Sequence, residues 1–251
     1  MPETIIAANW KMNKATAEAM EFARGLKKAL LQKPVAATII VAPSFTSLAA
    51  VAAELNNSPV RLSAQNMHAV EKGAFTGEIS GAMLKDAGCR YCIIGHSERR
   101  TLFGEKDSFI NAKIAAALSY DLRPIFCIGE TLAEREANAT FSVISRQLKE
   151  GLNNIPAGDM KHIVVAYEPV WAIGTGKTAT PEQAQEAHIF IRNLLGEIYG
   201  KSIADAVSII YGGSVTANNI GVLMAQKDIN GALVGSASLD LSSFLNIINF
   251  K

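Results

Sequence analysis

The chain has 251 residues, 49% hydrophobic and 19% charged, with a net charge of +1. So much apolar material supports a large core and excludes disorder. The near-neutral balance, without a basic cluster, excludes nucleic acid and an anionic membrane as partners.

In chain order, short apolar runs recur at 5–8, 38–42, 60–64, 91–94, 123–128, 162–167, 207–211 and 231–234. They read as continuous rather than alternating, as strands buried on both faces do. The run at the N-terminus is too short for a signal core or a membrane span, and Met-Pro-Glu-Thr lacks a basic leader. Between the runs lie segments of helical period. Phe22, Leu26 and Leu30 stripe the first helix, and Ile144, Leu148 and Leu152 the fifth. Ala184, Ala187, Ile191, Leu194 and Ile198 stripe the sixth. Thr180, Pro181 and Gln183 supply that helix with an N-cap, a first-turn proline and a capping-box partner.

Eight such units, about 31 residues each, with no linker or low-complexity tract, predict an α/β fold: a single (β/α)8 barrel domain over 1–251. A doubly wound sheet is the alternative, but no G-x-G-x-x-G follows the first run. Three cysteines, Cys89, Cys92 and Cys127, cannot all pair within one chain, which fits a cytoplasmic location. Cys89 and Cys92 imitate a metal or redox pair, but no second pair completes four ligands. Gly176-Lys177-Thr178 imitates the end of a P-loop, yet Trp171 stands where that motif needs its first glycine.

In such a barrel the chemistry gathers at the C-terminal ends of the strands. Those ends carry Asn9 and Lys11, Gln65 and Asn66, His96 and Glu98, Cys127 and Glu130, Glu168, Ser214, and Gly235 with Ser236. Glu168 closes an apolar run and is followed at once by Pro169, then Trp171, Gly174 and Gly176. A carboxylate on a rigid strand beside a closable flap, 169–179, suits proton abstraction. His96 suits hydrogen bonding to a carbonyl or enediol oxygen, and Lys11 a fixed charge near a developing oxyanion. Asn9 suits orienting that oxygen or Lys11. Glu98 suits the His96 network, or a pair with Arg99 or Lys11. Cys127 reads as packing beneath the base, with no partner to activate it. The glycine-rich turns after the seventh and eighth runs offer backbone N–H groups to an anion, or simply allow tight turns.

The segments N-W-K-M-N at 9–13, G-H-S-E-R-R at 95–100, C-I-G-E-T-L at 127–132, A-Y-E-P-V-W-A-I-G-T-G-K at 166–177 and Y-G-G-S-V at 211–215 occur in one order. Together they resemble the triosephosphate isomerase family over about residues 5–250. The resemblance implies interconversion of dihydroxyacetone phosphate and D-glyceraldehyde 3-phosphate through an enediolate, with no metal or organic cofactor. It makes Glu168 the base, His96 the electrophile, and Asn9 and Lys11 substrate-binding residues. It gives the phosphate to backbone at Gly174, Ser214, Gly235 and Ser236. It also implies a homodimer through the loop 65–78, with Thr76 at the inserted tip. One departure stands out: Ser236 follows Gly235 where the family more usually has a second glycine, which requires a negative φ there.

Two other functions fit parts of this pattern. A Schiff-base aldolase would use Lys11 as nucleophile on a similar sugar phosphate. A silent barrel would only bind phosphate, but has no reason to keep Asn9, Lys11, His96 and Glu168 together.

Overall fold

The computed structural model describes residues 2–174 and 178–250. Eight parallel strands close into a barrel in sequence order: β1 (Ile5–Asn9), β2 (Thr38–Ala42), β3 (Arg61–Ala64), β4 (Tyr91–Ile94), β5 (Arg123–Ile128), β6 (Val164–Tyr167), β7 (Ser208–Tyr211) and β8 (Gly231–Val234). β1 closes the ring by pairing both β2 and β8, with Ala8 opposite Val41 and Val234. Each strand falls on a predicted run. The predicted sixth run, 162–167, begins two residues early, because His162 ends the 3-10 turn Ala157–His162 and Ile163 is its C-cap.

The strands are buried on both faces because they separate two cores. Ile5, Ala7, Ile40, Ala42, Ile93, Ile125, Cys127, Val164, Ala166, Ile210 and Leu233 fill the barrel interior. The alternating residues Ile6, Ala8, Ile39, Val41, Ile94, Phe126, Val165 and Ile209 face the helices. A two-residue period therefore fixes which strand-end residues come next on the inner side. Ala7 leads to Asn9, Ile93 to Gly95, Cys127 to Gly129, Ala166 to Glu168, Ile210 to Gly212 and Leu233 to Gly235.

The outer helices bury the predicted stripes. Phe22, Leu26, Leu30, Ile144 and Leu148 are buried, as are Ala184, Ala187, Ile191 and Leu194. Ile198 departs from its stripe: it is 39% exposed on the last turn of helix Pro181–Tyr199, where Leu195 is the buried residue instead. That helix starts with the capping box its sequence predicts. Gln183 N–H donates to Thr180 Oγ1 at 3.2 Å and Thr180 N–H to Gln183 Oε1 at 3.0 Å. Among the described residues no helix is long and apolar enough to cross a membrane.

Candidate active site

A cleft of about 380 Å³ opens at the C-terminal mouth of the barrel. Asn9, Lys11, His96, Glu168, Gly174, Ser214, Gly235 and Ser236 all line it, so the structure brings every predicted site residue to one place. Thr175, Gly176 and Lys177, which the sequence puts in the flap, lie outside the described residues.

Glu168 is aimed inward by the register of β6, and its neighbours are shaped around it. A Cβ at Gly129 would stand 1.8 Å from the Glu168 carbonyl oxygen, and one at Gly212 would stand 2.8 Å from Glu168 Cγ. Glycine at 129 is thus demanded by the main chain of Glu168, and glycine at 212 by the Glu168 side chain. The Gly212 N–H is spent on Tyr167 O at 2.7 Å, so it is not one of the amides open to an anion. The carboxylate is 2% exposed. Its Oε2 accepts the Ser97 N–H at 2.8 Å. Its Oε1 lies 3.0 Å from His96 Nε2 but has no well-aligned donor among the described residues.

His96 arrives by a different route. Strand parity would turn it outward, but Gly95 has φ +74°, a left-handed turn that re-aims the next residue. His96 then caps helix Ser97–Leu102, its Nδ1 accepting the Glu98 N–H at 3.3 Å. Glu98 Oε2 is also 3.6 Å from Nδ1, too far for a hydrogen bond. A backbone N–H can only donate, so Nδ1 is bare and Nε2 carries the proton. A neutral imidazole therefore points an N–H donor into the cleft beside the carboxylate.

Lys11 sits at φ +52°, unusual for a lysine. Its N–H donates to Asn9 Oδ1 at 3.1 Å, and its carbonyl accepts from Gln65 Nε2 at 2.8 Å. Gln65 also donates to Ala42 O at 2.9 Å, tying the Lys11 turn to β2. The ammonium is paired with Glu98 Oε1 at 2.7 Å, which places a fixed cation at the rim. Of the partners the sequence offered Glu98, the contacts select Lys11, whereas the tether from Gln65 is revealed only by the contacts.

On the opposite wall, the N–H groups of Ser214, Gly235 and Ser236 donate to no acceptor among the described residues. Ser236 is not among the residues with positive φ, as a side chain in this turn requires. Ser238 Oγ, fully buried, donates to the carbonyls of Val234 and Gly235 and fixes the turn from below.

Of two further residues at the mouth, Cys127 packs beside the base as its sequence position suggests, and Glu130 does not face the cleft. Cys127 is fully buried, and burial, with the Glu168 charge next, pushes its thiol well above the ordinary value. Glu130 turns away from the cleft: its carboxylate meets Tyr167, Trp171 and Arg135 at the root of the flap.

The chain matches known proteins along its length. The family model described as triosephosphate isomerase covers residues 4–251. The chain is 55% identical to the triosephosphate isomerase of Syntrophotalea carbinolica over 251 residues, 100% of this chain and 99% of that protein. It is 54% identical to that of Geobacter metallireducens, covering both chains fully. It is 53% identical to that of Moorella thermoacetica over 250 residues, 100% of this chain and 99% of the other.

Proposed function

The chain belongs to the triosephosphate isomerase family, and on that premise we propose that it interconverts dihydroxyacetone phosphate and D-glyceraldehyde 3-phosphate by proton transfer through an enediolate. The observation that carries this is the 3.0 Å approach of the His96 Nε2–H donor to the Glu168 carboxylate inside the cleft. A base and an electrophile at that spacing serve one carbon and the oxygen attached to it. Glu168 Oε1, which has no aligned donor among the described residues, takes the proton from C1 of the ketose. His96 donates a hydrogen bond to the developing oxyanion, and the Lys11 charge stabilises it. The hydroxyl proton then passes from O1 to O2 of the enediolate by way of His96 Nε2, and return of a proton from Glu168 to C2 gives the aldehyde, with no electron leaving the substrate.

The phosphate goes to the opposite wall, where the Ser214, Gly235 and Ser236 amides converge and Gly174 lines the rim. Ser236 serves through its N–H. Asn9 orients Lys11 through its turn and faces the substrate. The segment 169–179 closes over the bound enediolate and keeps water from it. We further read the chain as one domain over 1–251, working in the cytoplasm as a homodimer.

A coupled assay on D-glyceraldehyde 3-phosphate, with phosphoglycolate as competitive inhibitor, tests the activity. Glu168→Gln removes the base while keeping the shape. Its kcat is expected to fall by about 10²–10⁴, with phosphoglycolate affinity little changed. Turnover near that of the unaltered protein in this variant removes Glu168 from the role.

A further inference from the structure

A polar cluster behind the flap takes no part in the proton transfer. Glu130 is fully buried, yet its carboxylate accepts from Tyr167 Oη at 3.1 Å, from Trp171 Nε1 at 2.9 Å and from the Arg135 guanidinium at 3.0 Å. Its backbone carbonyl accepts the Val170 N–H at 3.0 Å. Glu130 thus grips the first residues after Pro169 with both main chain and side chain.

A carboxylate removed from water needs a cation, and Arg135 supplies it. The same guanidinium lies 4.7 Å from the Trp171 ring centroid, so one planar group pairs with the acid and covers the indole. Arg135 is itself held in place. It sits on helix Leu132–Glu136, whose Thr131–Glu134 capping box fixes the turn directly after β5. The near end of the flap, which follows β6, is therefore fastened to the strand beside it.

We propose that Arg135 is a positioning residue for the isomerisation. By neutralising Glu130 and lying against Trp171, it fixes the flap root so that Glu168, three residues before Trp171, and the segment over the cleft keep their register through turnover. This rests on the isomerase function proposed above, and it adds a residue that touches neither substrate nor base.

The consequence is chemical. When an enediolate phosphate is not shielded, its C–O bond to phosphorus breaks on the carbon side, and orthophosphate leaves with the electron pair. The remaining enol ketonises to methylglyoxal. A loosened root raises the fraction of turnovers that end this way, whereas a purely structural role for Arg135 alters only the melting temperature.

The test measures isomerase turnover, methylglyoxal and phosphate for the unaltered enzyme, Arg135→Ala, Arg135→Lys and Glu130→Gln/Arg135→Ala. Arg135→Ala is expected to lower kcat by about 10- to 100-fold, to change KM less, and to raise the methylglyoxal fraction several-fold. Arg135→Lys keeps the charge without the planar stack and recovers part of both. The double variant removes the orphaned buried charge, so it is expected to recover melting temperature but not the product ratio. It also carries the test if Arg135→Ala fails to fold. An unchanged kcat and product ratio in the folded Ala or double variant overturns the proposal. An unaltered enzyme with no isomerase turnover removes the function on which it rests.

Discussion

Lys11 shows how a single residue's backbone is bent toward chemistry. A left-handed lysine costs about 1–3 kcal/mol, which persists only where the surroundings enforce it. Asn9 accepts the Lys11 N–H and Gln65 donates to its carbonyl, and these two bonds hold the ammonium at the rim beside Glu98. Gln65→Ala leaves the Lys11 carbonyl without its donor, a loss of about 1–2 kcal/mol, so kcat/KM is expected to fall by about 5- to 30-fold. Asn9 and Lys11 are themselves unaltered in that variant, so the loss isolates the tether. Steady-state kinetics decide the matter: an unchanged kcat/KM means that Lys11 holds its place without Gln65.

Among elements, the loop 65–78 is built as a fixed projection. Its root is anchored by Asn66, whose Oδ1 accepts from Lys113 Nζ at 2.8 Å, and by the His68 N–H donating to Ile79 O at 2.8 Å. Lys113 is only 1% exposed and is paired with Glu105, so the anchor is a buried ionic one. Beyond that root, residues 70–78 are all exposed, including Val70 at 43% and Phe75 at 44%. Phe75 rests on His68, and Met12, next to Lys11, is 96% exposed. Apolar side chains held in water on an anchored loop fit the proposed homodimer, with Thr76 at the tip. Shortening the loop by replacing 73–77 with a two-residue link is expected to leave a folded monomer with reduced kcat. Sedimentation at micromolar protein checks it, and a dimer that survives the deletion places the interface elsewhere.

The elements also show what was legible. Eight apolar runs gave the barrel because parallel strands buried on both faces need nothing but apolar residues. The inward aim of Asn9 and Glu168 follows from counting in twos along β1 and β6. His96 breaks that count, and its direction depends on the positive φ of Gly95, which a glycine permits but does not announce. Glu130 stood among the mouth acids in sequence but faces the flap root, because its partners Tyr167, Trp171 and Arg135 are remote along the chain or lie on another turn. Gly212 was legible as a turn glycine, whereas its reason, the nearness of Glu168, needed coordinates.

At the scale of the whole molecule, His188 links the layers. It is fully buried on helix Pro181–Tyr199, its ring meets Tyr167 of β6 edge-on at 5.9 Å, and its Nδ1 lies 3.2 Å from the Asp228 carbonyl. A carbonyl accepts, so Nδ1 carries the proton, and the bare Nε2 is buried without a partner among the described residues. Burial lowers the imidazole from 6.5 to about 4, the Asp228 carbonyl opposing and Arg192 adding to the fall. Below pH about 4 both folded and unfolded chains carry the proton. Between about 4 and 6.5 the unfolded chain binds it and the folded chain does not, so stability rises with pH across that window. The contribution is complete above 6.5 and is lost as the pH falls toward 4, amounting to about 3 kcal/mol. Urea unfolding from pH 4 to 8 is expected to show this slope, at one fixed protein concentration because the proposed dimerisation would make stability depend on it. His188→Gln removes the titrating group and is expected to flatten the curve between 4.5 and 6.5 by about that amount. An identical slope in the variant assigns the acid sensitivity to the carboxylates instead, with the barrel and helix layers not coupled through His188.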